Sequence, residues 1–236
     1  MSERANGLRE ALPFDALLFD MDGLLVDTEP LWLETETEVM ARLGASWHEE
    51  DQQALLGGSM ARTVAYVLSK ARLHPGELPS PETIARWMLD GMLARAAAGR
   101  VVVQPGAREL LAEVEAAGVP YALVTSSERQ FAEAVLSATR FRFPVVVTGD
   151  DVAAHKPDPE PYLLGAKLLG ADPARCVALE DSPNGAASAG AAGCLVVAVP
   201  SLLPVLPGRS RVIVQSLTGV NLEFLRQFAA QEGISG

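Results

Sequence analysis

Short apolar runs punctuate this chain at Ala16 to Asp20 (ALLFD), Tyr121 to Val124 (YALV), Val145 to Val147 (VVV), Cys176 to Leu179 (CVAL) and Leu195 to Val199 (LVVAV). Each is too short for a helix and apolar on both faces, the pattern of a strand buried in a parallel sheet. Helical spacing fills the intervals. In PGARELLAEVEAAG, Leu110, Leu111 and Val114 share one face and Gly118 supplies a stop. PEPYLLGAKLLG ends in the same way at Gly170. SPNGAASAGAAG opens with Ser182 as N-cap and Pro183 at the first helical position, and its small residues allow close approach to a sheet. Strands alternating with helices predict a doubly wound, Rossmann-like α/β core with a parallel sheet.

One stretch departs from the alternation. From Pro30 to about Gly99 the apolar positions recur only at helical spacing. Leu31, Trp32, Val39, Met40 and Leu43 form one such series before Gly44. Ser59 heads a second through Val64, Val67 and Leu68. Ser80 and Pro81 head a third through Ile84, Trp87 and Met88. The expected organisation is a core of residues 12–29 and 100–236, with an all-helical cap of residues 30–99 inserted after the first strand. Loops after strand ends build the sites of such sheets, so the insert would cover the site as a lid.

Composition adds constraints. Of 236 residues, 49% are hydrophobic, ample for a buried core of this size. The formal net charge is -11, and no basic stretch could follow a phosphate backbone, which argues against nucleic acid as a partner. The sequence LVVAVPSLLPVLPG is broken by Pro200, Pro204 and Pro207 and is too short to span a bilayer. The N-terminal residues lack the apolar region of a signal peptide. Cys176 and Cys194 lie in apolar runs without metal-ligand spacing. These features predict a soluble, cytoplasmic protein with no membrane partner and, by default, a monomer.

The chemistry concentrates at four places, each after a predicted strand. Asp20-Met21-Asp22-Gly23 follows the first strand, Thr125-Ser126 follows YALV, Lys156 lies shortly beyond VVVTGDD, and Glu180-Asp181 follows CVAL. In a parallel sheet these ends share one edge, so the residues converge. Crowded carboxylates repel one another unless some are protonated or a cation joins them. A hard oxygen donor set suits Mg²⁺. Mg²⁺, Lys156 and the Thr125 hydroxyl could then hold phosphate oxygens. Asp20 is placed to attack phosphorus and Asp22 to act as acid and then base on the leaving oxygen and the incoming water. Singly, each motif has an ordinary structural explanation: a solvated acid pair, a turn, an N-cap, or acids favoured at a helix N-terminus. Their joint order along the chain is what points to phosphoryl transfer.

The text FDMDGLLVDTEPLW, LVTSS, HKPDPEPY and LEDSPNG resembles the haloacid dehalogenase superfamily, in the subfamily with a helical cap after the first motif. The resemblance spans nearly the whole chain and is weakest in the cap. It implies Asp20 as nucleophile, Asp22 as acid/base and as a metal ligand through its carbonyl, and Asp181 as a direct metal ligand with Glu180 close by. It also implies phosphate binding by Thr125, the amide of Ser126 and Lys156. The resulting expectation is a Mg²⁺-dependent phosphatase of a small phosphomonoester, a sugar or polyol phosphate, acting through an aspartyl-phosphate.

Two alternatives carry different chemistry. A β-phosphoglucomutase-type enzyme would have a His where Trp32 stands and a Lys and an Arg where Leu56 and Met60 stand, with Arg62 a partial substitute. A phosphoaccepting receiver module would be about half as long and would lack both the insert and Asp22. Selectivity in this architecture resides in the cap, where Leu56, Met60, Arg62, Trp32 and Trp87 are candidates for facing the substrate. For Trp32, packing within the cap is an equal expectation.

Overall fold

A computed structural model describes residues 12–55 and 58–233 of the chain. The first strand, β1 (Ala16–Phe19), opens the fold. A short strand β2 (Val26–Asp27) leads into four helices, α1 (Glu29–Arg42), α2 (Glu49–Gln53), α3 (Met60–Lys70) and α4 (Pro81–Ala97), and β3 (Val102–Val103) closes this excursion. The remaining elements are α5 (Ala107–Ala117), β4 (Tyr121–Val124), α6 (Arg129–Thr139), β5 (Val145–Val147), α7 (Glu160–Leu169), β6 (Cys176–Glu180), α8 (Pro183–Ala191), β7 (Leu195–Ala198), β8 (Arg211–Ile213) and α9 (Leu222–Gln231).

The main sheet runs in the order β5-β4-β1-β6-β7-β8, with every pairing parallel. The chain moves outward from β1 through β4 to β5, then returns to β6 on the other side of β1. That reversal leaves a crevice at the carboxyl ends of β1, β4 and β6, where doubly wound sheets hold their ligands.

Alternation along each strand divides the core into two layers. Leu17, Phe19, Leu123, Val177 and Leu179 point to the face covered by α5, α6 and α9, where they meet Val114, Phe131 and Leu225. Ala16, Leu18, Ala122 and Ala178 point to the opposite face, against Tyr162 and Ala166 of α7 and Ala186 and Ala189 of α8. The small residues there let the helices approach closely. A Cβ on Gly165 of α7 would come within 2.9 Å of Val124 Cγ2.

The sequence-predicted helix ends are present. Gly118 and Gly170 adopt positive φ of 64° and 69° directly after α5 and α7. Ser182 accepts a hydrogen bond from the Gly185 amide at the start of α8. Both cysteines are buried and unpaired, and burial pushes the Cys176 thiol up to about 12. Strand limits shift slightly from expectation: β1 stops at Phe19, and β6 continues through Glu180.

The inserted helices have their own core, in which Val39, Met40 and Leu43 of α1 pack with Val64 and Val67 of α3 and Ile84 and Met88 of α4. The insert is anchored by the antiparallel pair β2–β3, with Val26 opposite Val103 and Asp27 opposite Val102. Neither this pair nor β8 or α9 was anticipated. β2 and β3 are two residues each, too short for a periodicity to register. Among the described residues, no helix is long and apolar enough to cross a membrane.

Candidate active site

The Asp20 amide donates to the Leu179 carbonyl at 3.0 Å, fixing the acid at the junction of β1 and β6. Gly23 then turns the chain back at φ 84°, with its amide on the Val26 carbonyl at 2.8 Å. A Cβ at Gly23 would fall on the Asp181 carboxylate. Only glycine both adopts this turn and leaves room for that acid.

Lys156 enters from the loop after β5, and its side chain is 2% exposed. Its ammonium donates to Asp20 Oδ1 at 2.6 Å, Glu180 Oε1 at 2.6 Å and the Val124 carbonyl at 2.9 Å, which uses all of its protons. Burial alone would depress its proton affinity, but the two carboxylates outweigh burial and raise it above the ordinary lysine value. The Tyr162 hydroxyl donates to the same Glu180 oxygen at 2.5 Å, and Tyr162's ring lies 5.0 Å from the ammonium. The other Glu180 oxygen accepts from the Asp181 amide at 3.1 Å and the Ser182 hydroxyl at 3.3 Å. A Cβ on Gly185 of α8 would fall on this carboxylate, so the helix leaves a recess for it.

Asp22 lies on the other side of the crevice. It accepts from the Thr28 hydroxyl at 2.5 Å, the Ser127 hydroxyl at 2.7 Å and the Thr125 hydroxyl at 3.3 Å. Thr125 in turn accepts from the Ser127 amide at 3.0 Å. The Ser126 hydroxyl is buried without a protein partner among the described residues. Asp181 accepts from the Ser201 hydroxyl at 2.6 Å.

Asp20, Glu180 and Asp181 each offer a carboxylate oxygen within 4.8 Å of the others. Burial, with repulsion from Glu180, Asp181 and Asp22, lifts the Asp20 carboxyl well above the usual range despite the opposing pull of Lys156. Burial and the Glu180 charge push Asp181 up to about 8. Burial also raises Asp22, against the hydrogen bonds it receives. Such a set either holds protons or gathers around a cation, and its hard oxygens suit a small divalent ion. The residues present therefore fit a metal.

A cleft of about 860 Å³, counting its open mouth, joins these residues to the inserted helices. Every residue singled out for chemistry lies at or beside it: Asp20, Asp22, Thr125, Ser126, Lys156 and Asp181 line it, and Glu180 stands behind Lys156. Trp32 and Met60 line it from the cap. Trp32 also meets Phe131 of α6 edge-on at 5.9 Å, so it bridges cap and core rather than packing within the cap. Trp87 does not line the cleft, and Arg42 lies over its ring at 5.2 Å. Arg62 is turned to the Ala54 carbonyl at 2.9 Å. Leu56 lies outside the described residues.

Sequence reasoning assigned no role to Thr28, Tyr162, Ser127 or Ser201. The first three stand within the quoted motifs, but Ser127 and Tyr162 find their partners only on folding across 105 and 18 residues, and Thr28 only when the turn at Gly23 brings it back to Asp22. Ser201 follows β7 in a stretch legible only as proline-broken and apolar.

The family profile of haloacid dehalogenase-like hydrolases matches residues 17–199, and the chain belongs to that family. It is 36% identical over 196 residues to protein CbbY of Rhodobacter capsulatus, covering 79% of this chain and 85% of that one. It is 36% identical over 183 residues to hexitol phosphatase A of Escherichia coli K12, covering 77% and 81%. A solved CbbY variant from Rhodobacter sphaeroides, in complex with xylulose-(1,5)bisphosphate, superposes with a TM-score of 0.81 at 32% identity, covering 90% of this chain and 99% of that one.

Proposed function

We propose that this hydrolase is a Mg²⁺-dependent phosphatase that cleaves a small sugar or polyol phosphate through a phosphorylated Asp20. The observation that carries the reading is the buried Lys156 ammonium bridging Asp20 and Glu180 beside Asp181, with Thr125 and Ser126 across the same crevice. Relatives named as phosphatases of hexitols support the ester class.

In this reading Asp20 and Asp181, with the main-chain carbonyl of Asp22, hold the ion, and Glu180 closes the acidic cluster. Bound there, Mg²⁺ would neutralise the carboxylates and the charge on the transferring phosphoryl group. The Thr125 hydroxyl and the Ser126 amide orient the phosphate oxygens, and Lys156 joins them by exchanging one of its three protein acceptors for phosphate. An Asp20 oxygen bonds to phosphorus as the phosphorus–oxygen bond to the leaving group breaks. Asp22, whose proton affinity burial raises, gives its proton to the departing oxygen. A water then attacks phosphorus, Asp22 takes that water's proton, and the Asp20 carboxylate departs. Residues 30–99 act as the cap that excludes bulk water from the intermediate.

Hydrolysis is favoured over a mutase reaction by the cap wall. Trp32 and Met60 stand where a mutase would present cationic or imidazole donors to its sugar. The test is phosphate release from a panel of phosphomonoesters with and without Mg²⁺, with β-glucose 1-phosphate assayed for glucose 6-phosphate. Metal-dependent free phosphate is the expected result. Glucose 6-phosphate without free phosphate would instead establish the mutase.

A further inference from the structure

The wall of the cleft that the inserted helices form is rich in acceptors and poor in cations. Glu29 and Glu36 of α1 both line it, with Gln52 of α2 and Thr63 of α3. The two acids are seven residues apart, two turns along one helix face and roughly 10 Å along its axis. Their positions are fixed by donors that use only part of their capacity. The Gln52 amide donates to the Glu29 carbonyl at 2.8 Å and to Glu29 Oε2 at 3.1 Å. The Trp47 indole donates to Glu36 Oε2 at 2.9 Å. The second oxygen of each acid receives no hydrogen bond from the described residues. Thr63 is 8% exposed, and its hydroxyl has no protein partner among them.

Among the described residues lining the cleft, Lys156 is the only lysine, arginine or histidine, and its protons are engaged beside Asp20. Arg62 is exposed beside Gly58, with one nitrogen donating to the Ala54 carbonyl, and is not among the lining residues. Arg86 is exposed outside the lining. A second phosphate or carboxylate on this wall would therefore meet two carboxyl groups and no cation among the described residues that line it, whereas a chain of hydroxyls would meet acceptors with lone pairs to spare.

We infer that Glu29 and Glu36 select the leaving group, accepting hydrogen bonds from the hydroxyls of an uncharged polyol or sugar and excluding esters that carry a second anionic group. The inference rests on the phosphatase reading and narrows it from sugar phosphates at large to monophosphates. Trp47 and Gln52 serve as positioning residues, each holding one acid in place.

The test uses the full-length enzyme with Mg²⁺ and four probes: sorbitol 6-phosphate, fructose 6-phosphate, fructose 1,6-bisphosphate and p-nitrophenyl phosphate, which has no hydroxyls. Expected is a kcat/KM for at least one of the two monophosphates about tenfold or more above that for the bisphosphate. Glu36→Gln and Glu29→Gln should each lower the ratio of the preferred monophosphate to p-nitrophenyl phosphate by about tenfold. Both variants keep the side-chain shape and an acceptor for Trp47 or Gln52, and circular dichroism checks their folding. Equal or faster turnover of the bisphosphate overturns the inference while leaving the phosphatase reading intact, as does an unchanged ratio in both folded variants. Failure to hydrolyse any of the four, p-nitrophenyl phosphate included, overturns the phosphatase reading and the inference with it.

Discussion

Lys156 Nζ stands 2.6 Å from Asp20 and 2.6 Å from Glu180, joining the ends of β1 and β6 through one buried ammonium. The Glu180 side chain is fully buried and that of Asp20 is 9% exposed, so neither has bulk water to replace this partner. The lysine is thus part of the core's charge balance as well as of the site. Lys156→Met should destabilise the protein by about 3–5 kcal/mol, because two buried acids lose their counter-charge, and should abolish turnover. Denaturant unfolding and phosphate release measure the two effects. A variant of parental stability would show that the acids are protonated without the lysine.

Asp20→Asn keeps the shape of the side chain and removes the attacking oxygen's charge. Turnover should fall at least about a thousandfold while the circular dichroism spectrum is preserved. Activity within tenfold of the parent would move the nucleophile elsewhere.

Divalent metal should stabilise the fold directly. A ligand present at a hundred times its dissociation constant contributes about 2.7 kcal/mol. Scanning calorimetry should therefore show a rise in Tm on adding MgCl₂ and its reversal by EDTA. In Asp181→Asn the rise should shrink sharply. An equal rise in that variant would remove Asp181 from the ligand set.

Glu36 provides a pH signature within the cap. Burial raises its carboxyl from 4.5 to about 7, with the Trp47 hydrogen bond opposing. A carboxyl whose folded value is raised binds its proton more tightly when folded. Its contribution to stability is complete below about 4.5 and is lost as pH rises through about 7. Glu36→Gln keeps an acceptor for Trp47 and removes the ionisation. Between pH 5 and pH 8 the parent should lose about 1–3 kcal/mol more stability than the variant. Thermal unfolding of both at the two pH values checks this, and parallel losses would place the Glu36 carboxyl near its ordinary value.

The strand ends and their acids were legible because a parallel sheet turns linear order into convergence. Knowing that Asp20, Thr125, Lys156 and Glu180 each follow a buried strand is enough to bring them to one edge. Ser127 escaped notice because it becomes a partner of Asp22 only through a contact spanning 105 residues, and Thr28 because its bond to Asp22, six residues away, depends on the turn at Gly23; periodicity encodes neither. The cap is the less readable half. Its apolar spacing announces helices, but which polar residue of α1 faces the cleft depends on how the helix is rolled. Glu29 and Glu36 therefore carry no signal of their own in the sequence until α2 and the Trp47 indole are packed around them.

The pairing of Asp27 with Val102, in a two-stranded sheet apart from the main one, means that the chain between them leaves and returns at a single point. In connectivity, though not in packing, this long excursion is equivalent to the turn of a hairpin, since Leu89 and Met92 of α4 also join the core beneath it. Lengthening, shortening or rebuilding it would change the closure entropy only slowly, since that cost grows with the logarithm of loop length. The inserted helices are in this sense an exchangeable cassette. Descendants of one catalytic frame can diversify in what they accept without renegotiating how they react.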